Sequence, residues 1–176
     1  MLDVACGQGR HLRWFAQRDH PVVGVDRSAE AIQAVEKLGE VLVADIEAGP
    51  WPFAGRRFAG VIVTNYLWRP LLPTIVASVA QGGVLIYETF AAGNETVGKP
   101  SRPDFLLQPG ELLQACDGLR VVAYEDGFLD PPARFVQRIA AVRPVLPDGP
   151  SRHRLQPAPG TDGQGFKMPV SPRKPT

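Results

Sequence analysis

The chain has 176 residues, a formal net charge of +1 and two cysteines, which predicts one domain with no disulfide framework and no metal site. Residues 1–142 carry 13 Lys and Arg against 16 Asp and Glu, so this part lacks the basic excess of a nucleic-acid-binding protein. No apolar run of about 18 residues could span a membrane and no signal peptide is visible, so we expect a cytoplasmic protein without a nucleic-acid or membrane partner.

Short apolar segments alternate with helix-like segments along the first half. Leu12, Phe15 and Ala16 have helical spacing and predict a helix over residues 10–18. Ser28 is a suitable cap for a second helix, which Gly39 ends. The predicted strands of this half are Leu2–Ala5, Val22–Val25, Val41–Ala44 and Phe58–Thr64, with a turn-rich loop at Gly49–Pro52.

The second half continues this alternation and then ends on two strands. Pro73 suits the first turn of a helix that runs to Ala80. The Gly- and Pro-rich segment Phe90–Gln108 predicts a long loop. The other predicted elements are a strand at Val84–Glu88, a short helix at Glu111–Cys116, and strands at Leu119–Tyr124 and Phe135–Val142 joined by the Asp126–Arg134 loop.

This order of elements predicts an α/β fold, a doubly wound and mostly parallel sheet with helices on both faces. We expect the domain to span residues 1–142, truncated at the first strand, since the chain begins inside it. Residues 143–176 hold eight of the chain's 18 prolines without apolar periodicity, which predicts a disordered tail.

A glycine-rich turn, Asp3-Val4-Ala5-Cys6-Gly7-Gln8-Gly9, joins the first predicted strand to the first predicted helix. Glycine lets the backbone approach a ligand closely, and the helix start offers free N–H groups. Asp26 follows the next strand about 20 residues on, where a carboxylate can accept both hydroxyls of a ribose. The pattern predicts a site for an adenosine-type cofactor.

The residue three positions after Gly9 indicates which adenosine-type cofactor the loop suits. A dinucleotide-binding loop has a third glycine where this chain has Leu12, so a nicotinamide-dependent oxidoreductase is disfavoured. The chain also has no Walker sequence for a nucleoside triphosphate.

The turn resembles motif I of the class I S-adenosylmethionine-dependent methyltransferases, an apolar run, an Asp and a G-x-G turn. Four later segments resemble the following strand ends of that family, and the chain looks most similar to small bacterial stand-alone members of the tellurite-resistance and thiopurine types. The resemblance implies a Rossmann-like sheet of order 3-2-1-4-5-7-6 with an antiparallel last strand. The four segments are Val25–Arg27, Val43–Ile46, Val61–Asn65 and Gly82–Glu88.

The resemblance implies S-adenosyl-L-methionine as the cofactor. By it Asp26 takes the ribose, Arg27 lines the adenine, and Asp45 meets the adenine amino group. Each acid also has a structural alternative. Asp45 could cap the next turn and Asp26 could be an acid at the start of the next helix. Asp3 could be an acid of its strand without a role in binding. The implied cofactor-binding residues are Asp3, Ala5, Cys6, Gly7, Gly9, Asp26, Arg27, Asp45, Ile46 and Asn65.

The same resemblance implies catalytic positions after the fourth and fifth strands, at Asn65, Tyr66 and Glu88. Members that methylate nucleobase amines carry two prolines after the Asn, and this chain has Tyr66-Leu67-Trp68, so we expect a small-molecule acceptor and in-line methyl transfer. Arg69 and Arg102 are further candidates for acceptor contacts. Because family members usually have helices before the first strand, a non-catalytic cofactor-binding remnant remains an alternative.

Overall fold

The computed structural model describes residues 1–145, which contain one seven-stranded sheet. The strands are β1 (Leu2–Val4), β2 (Val23–Asp26), β3 (Glu40–Val43), β4 (Phe58–Thr64), β5 (Val79–Phe90), β6 (Arg120–Leu129) and β7 (Arg134–Val142). Their order is β3-β2-β1-β4-β5-β7-β6, with β1 to β5 parallel and β7 antiparallel to both β5 and β6. The predicted α/β fold, strand order and antiparallel edge are confirmed.

The helices are short, and each follows a distinct start signal. Gly9 at φ +69° precedes the first helix, and the Ser28 hydroxyl accepts a hydrogen bond from the Ala31 N–H at 3.2 Å, which confirms the predicted cap. None of the helices within residues 1–145 is long and apolar enough to cross a membrane. The helices are α1 (Arg10–Ala16), α2 (Ala29–Gln33), α3 (Leu72–Ala77) and α4 (Glu111–Ala115).

The two faces of the sheet are covered unequally. The larger buried cluster packs the sheet against α3 and α4, and the smaller one packs it against α1 and α2. On β5 the alternating neighbours Tyr87 and Ile86 are 1% and 44% exposed. One face of β5 is therefore covered, while the opposite face is open among the described residues.

Strand β5 begins earlier than predicted, and α3 ends earlier. The predicted helix to Ala80 stops at Ala77, because the Phe58 N–H bonds the Ser78 carbonyl at 2.8 Å and Val79 pairs with Phe58. A Cβ on Gly83 would lie 2.9 Å from the Phe58 carbonyl oxygen, so this close approach requires glycine. Gly82, at φ +72°, and Gly83 lie where the pairing of β5 with β4 shifts register between Val79 and Val84.

The hairpin at the end of the described chain is longer than predicted. Strand β6 continues to Leu129 and strand β7 begins at Arg134. The loop predicted at Asp126–Arg134 is therefore shortened to residues 130–133. Arg143, assigned to the tail from sequence, is held to the fold, since its guanidinium donates to the carbonyls of Val76 and Val79 at 2.7 and 2.8 Å. Residues 146–176 of the predicted disordered tail lie outside the described residues.

Candidate functional site

The carboxyl ends of β1 to β5 surround a pocket of about 400 Å³. In an open parallel sheet, ligands bind at the carboxyl ends where the strand order reverses, and here the chain turns in opposite directions from β1 and β4. The pocket is lined by Ala5, Asp26, Arg27, Ala44, Asp45, Ile46, Glu47, Asn65, Tyr66, Leu67, Thr89, Phe90, Pro100 and Phe105.

The loop after β1 is built from left-handed residues. Ala5, Gly7 and Gly9 have φ angles of +55°, +51° and +69°. A Cβ on Gly9 would lie 2.5 Å from Cγ1 of buried Val35, whereas a Cβ on Gly7 would meet no atom within 4 Å. Gly9 is therefore needed for packing, while Gly7 leaves open space beside the loop.

Asp26 connects this loop to the start of the next helix. Its Oδ2 accepts the Gly7 N–H at 2.9 Å, and its Oδ1 accepts the Ser28 N–H at 2.9 Å. Each carboxylate oxygen has two lone pairs, so both oxygens keep a further acceptor site. The side chain orders the loop and can still accept two hydroxyl groups from a ligand in the pocket.

Asp45 lines the same end of the pocket and also closes a turn. Its Oδ1 accepts the N–H groups of Glu47 and Ala48 at 2.9 and 3.1 Å, and these bonds lower the pKa of the carboxyl. The turn-capping alternative is thus present in the structure. Arg27 and Ile46, the other residues expected at the adenine, also line the pocket.

Four of the predicted cofactor-binding residues of the motif do not line the pocket: Asp3, Cys6, Gly7 and Gly9. Cys6 is 7% exposed and packs in the cluster of α1 and α2, where burial raises the pKa of its thiol to about 12. Asp3 is 2% exposed, with Oδ2 at 3.5 Å from Nδ1 of His11 and without a hydrogen-bond partner. Neither side chain lines the pocket, so both are structural neighbours of the loop in this geometry.

The buried carboxyl of Asp3 is expected to make the stability of the fold depend on pH. Burial raises the pKa of its carboxyl above the ordinary 3.8, against the lowering effects of His11 and Arg10, and the nearby Asp26 raises it slightly further. A raised pKa in the folded state means that stability is greatest below the ordinary pKa and falls as pH rises through the raised value. We expect the free energy of unfolding of Asp3→Asn to fall less than that of the parent between about pH 4 and pH 8, measured by urea denaturation. Parallel curves would contradict this expectation, and Glu30→Gln is the exposed control.

The catalytic candidates after β4 face the pocket. Asn65 adopts φ +55°, and its N–H bonds the Glu88 carbonyl at 2.9 Å, which fixes the chain as it leaves the sheet. The Tyr66 hydroxyl oxygen is buried without a hydrogen-bond partner, and burial raises its pKa. The nearby carboxylates of Glu47 and Asp45 raise the pKa of this hydroxyl further.

Glu88 lies elsewhere. Its carboxylate is 3.9 Å from the Arg134 guanidinium and 3.6 Å from that of Arg138, and Glu88 does not line the pocket. Arg138 also pairs with Glu125 on β6. The side chain belongs to a row of ion pairs on the open face of the sheet, which differs from the acceptor contact expected from the sequence.

Arg69 fastens the loop after β5 to the segment after β4. Its guanidinium donates to the Glu111 carboxylate at 2.7 and 2.9 Å and to the carbonyls of Asp104 and Leu106 at 2.8 and 2.7 Å. These two carbonyls flank Phe105, which lines the pocket. Arg69 thus positions a pocket wall without lining the pocket itself. The other arginine proposed at the acceptor, Arg102, pairs with exposed Asp104.

Replacing Arg69 by lysine is expected to loosen this wall, because an ammonium cannot reproduce the planar fork. Amide hydrogen exchange over residues 102–107 should accelerate by roughly one to two orders of magnitude. Arg56→Lys is the matched control, since Arg56 pairs bidentately with exposed Glu40 outside the pocket. Equal exchange in both variants would show that Arg69 does not hold the loop.

Several pocket residues escaped the sequence analysis. The apolar side chains Leu67, Phe90, Pro100 and Phe105 line the pocket together with Thr89. The sequence predicts a long loop at Phe90–Gln108, but its irregular pattern has no periodicity that shows which side chains turn inward. Only its hydrogen bonds to Arg69 and to the end of β5 decide that.

Known proteins match the chain in part of its sequence and in its fold. Residues 1–83 match a family model described as a methyltransferase domain, and no curated protein sequence matches the chain. TehB from Haemophilus influenzae superposes with a TM-score of 0.64 at 17% identity, over 81% of this chain and 57% of TehB. The chain thus spans little more than half the length of TehB.

The chain matches a larger share of two further structures. An S-adenosylmethionine-dependent methyltransferase from Methanosarcina mazei gives a TM-score of 0.63 at 15% identity, over 82% of this chain and 92% of the other. A TehB-like methyltransferase from Corynebacterium glutamicum gives 0.59 at 18% identity, over 81% and 78%. At these identities the likeness establishes the fold. The chain has the fold of the class I S-adenosylmethionine-dependent methyltransferases, and its residues 1–83 match the methyltransferase-domain model.

Proposed function

We propose that this chain binds S-adenosylmethionine in the pocket at the strand ends and transfers its methyl group to a small molecule. The observation that carries the proposal is Asp26. Its carboxylate orders the glycine loop by accepting the Gly7 N–H at 2.9 Å and faces a pocket large enough for a nucleoside. A second carboxylate, Asp45, lies at the same end of the pocket.

The residues present fit the cofactor. The free lone pairs of Asp26 suit the two ribose hydroxyls, and Arg27 with buried Ile46 suits the two faces of an adenine ring. The open space beside Gly7 allows the amino-acid part to approach the backbone. When bound, the group supplies a methyl carbon on a sulfonium, which is already electrophilic.

The protein's own contribution is positioning. Holding an acceptor in line with a reactive carbon removes several kcal/mol of barrier without a general base. The walls that exclude water are Leu67, Phe90, Pro100 and Phe105, and Asn65 and Tyr66 stand between them and the cofactor end. No two adjacent prolines follow Asn65, so we retain a small-molecule acceptor in preference to a nucleobase amine.

Isothermal titration calorimetry with S-adenosylhomocysteine tests the cofactor, with NADH as the competing ligand class. We expect saturable binding at micromolar concentrations for S-adenosylhomocysteine and none for NADH. Preference for NADH would refute the proposal and favour an oxidoreductase. A folded chain that binds S-adenosylhomocysteine but never consumes S-adenosylmethionine across an acceptor screen would match a cofactor-binding remnant.

A further inference from the structure

The pocket has two ends of different chemistry. The end formed by β2 and β3 carries all four of its charged lining residues, Asp26, Arg27, Asp45 and Glu47. The end formed after β4 and β5 is lined by uncharged side chains: Asn65, Tyr66, Leu67, Thr89, Phe90, Pro100 and Phe105.

The charged groups Glu88 and Arg69 near the uncharged end are paired away from it, and Arg102, whose Cζ lies 5.2 Å from the centroid of the Phe105 ring, pairs with Asp104. Glu88 lies within 4 Å of Arg134 and Arg138, and none of these three lines the pocket. Arg69 makes four hydrogen bonds, two of them to Glu111. Among residues 1–145, no lining residue at this end offers a charge to a ligand.

Hydrogen bonds hold in place the apolar wall of this end, which consists of Leu67, Phe90, Pro100 and Phe105. The Leu107 N–H bonds the Phe90 carbonyl at 2.9 Å, which brings the returning loop against the end of β5. Asn94 is 1% exposed and donates through Nδ2 to the Pro100 carbonyl at 3.0 Å. With Arg69 holding both sides of Phe105, three anchors set the wall before any ligand arrives, which lowers the entropic cost of binding.

We propose that this uncharged end is an acceptor subsite for a small, neutral apolar or aromatic nucleophile, an inference that rests on the proposed function. A charged acceptor would lose its hydration there without gaining a partner, which is costly. The whole pocket measures about 400 Å³, at the low end of ligand sites, and the cofactor takes part of it. The space left beside the cofactor suits a small acceptor.

The test compares two thiols that differ in one charge, phenylmethanethiol and 4-(mercaptomethyl)benzoic acid. In methyl transfer the thiol sulfur bonds the methyl carbon, the bond from that carbon to the sulfonium sulfur breaks, and the thiol proton passes to water. Titrated into the protein saturated with S-adenosylhomocysteine, the neutral thiol should bind at least about tenfold more tightly than the carboxylate. Equal or tighter binding of the carboxylate, or no binding of either thiol, would overturn the subsite.

A pair of variants locates the binding. Phe105→Ser should weaken phenylmethanethiol binding at least about fivefold, and by more than it weakens the binding of S-adenosylhomocysteine. Leu113→Ser, on α4 and outside the pocket, is the control, since Phe105 and Leu113 are 39% and 41% exposed. No effect of Phe105→Ser would refute the subsite. Loss of S-adenosylhomocysteine binding by the parent chain would instead refute the proposed function, and the subsite with it.

Discussion

Asp26→Ala is expected to weaken S-adenosylhomocysteine binding by about 1–3 kcal/mol, roughly a 5- to 150-fold rise in Kd. In the proposed site this carboxylate accepts the ribose hydroxyls. It also accepts the Gly7 and Ser28 N–H groups, both at 2.9 Å, so its removal loosens the loop that the cofactor approaches. Calorimetric titration measures the change in Kd directly.

Asp26→Asn and Glu30→Ala separate these effects. An amide group turns an N–H toward one of the two backbone donors, so Asn should recover little of the lost affinity. Glu30 is an exposed acid at the start of α2, so its removal should leave the Kd unchanged. If Asp26→Ala binds as the parent chain does, the ribose assignment is wrong.

Gly9→Ala is expected to lower the free energy of unfolding by about 2–4 kcal/mol, while Gly7→Ala should lower it by about 1 kcal/mol. Both residues are left-handed, at φ +69° and +51°, so both variants carry backbone strain. Only the methyl group at position 9 would also collide with Val35, which is 1% exposed and cannot move freely. Urea denaturation of the two variants gives the difference.

The affinity for S-adenosylhomocysteine should depend more on position 7. Relative to its loss of stability, Gly7→Ala should lose more affinity than Gly9→Ala. The methyl of Gly7→Ala would occupy the open space beside the loop, so a mildly destabilised variant should bind S-adenosylhomocysteine more weakly than the parent chain. Equal stabilities for the two variants would show that Val35 does not restrict the loop at position 9.

The sheet could be predicted because its signals are local. Each parallel strand is a short apolar run bounded by a turn signal, and β4 was predicted at Phe58–Thr64 as observed. Errors occurred where pairing with another strand decided the structure. Val79 and Ala80 have a sequence that suits α3, yet they join β5 because Phe58 and Arg143 bond this stretch of chain.

The end of the pocket that we propose for the cofactor could be predicted for the same reason. Asp26, Arg27, Asp45 and Ile46 follow strands directly, so the topology alone brings them to one edge. The direction of a side chain on a strand is harder to obtain. Glu88 and Thr89 are neighbours, and only Thr89 faces the pocket, because alternation sends Glu88 to the open face of the sheet.

The most direct test of the proposed site is a crystal structure with S-adenosylhomocysteine. We expect the ribose hydroxyls within hydrogen-bond distance of Asp26, the adenine between Arg27 and Ile46, and the thioether sulfur facing Asn65 and the wall of Phe90 and Phe105. Adenosine bound away from Asp26, or a thioether sulfur directed at the open face near Glu88, would contradict both the cofactor assignment and the acceptor subsite.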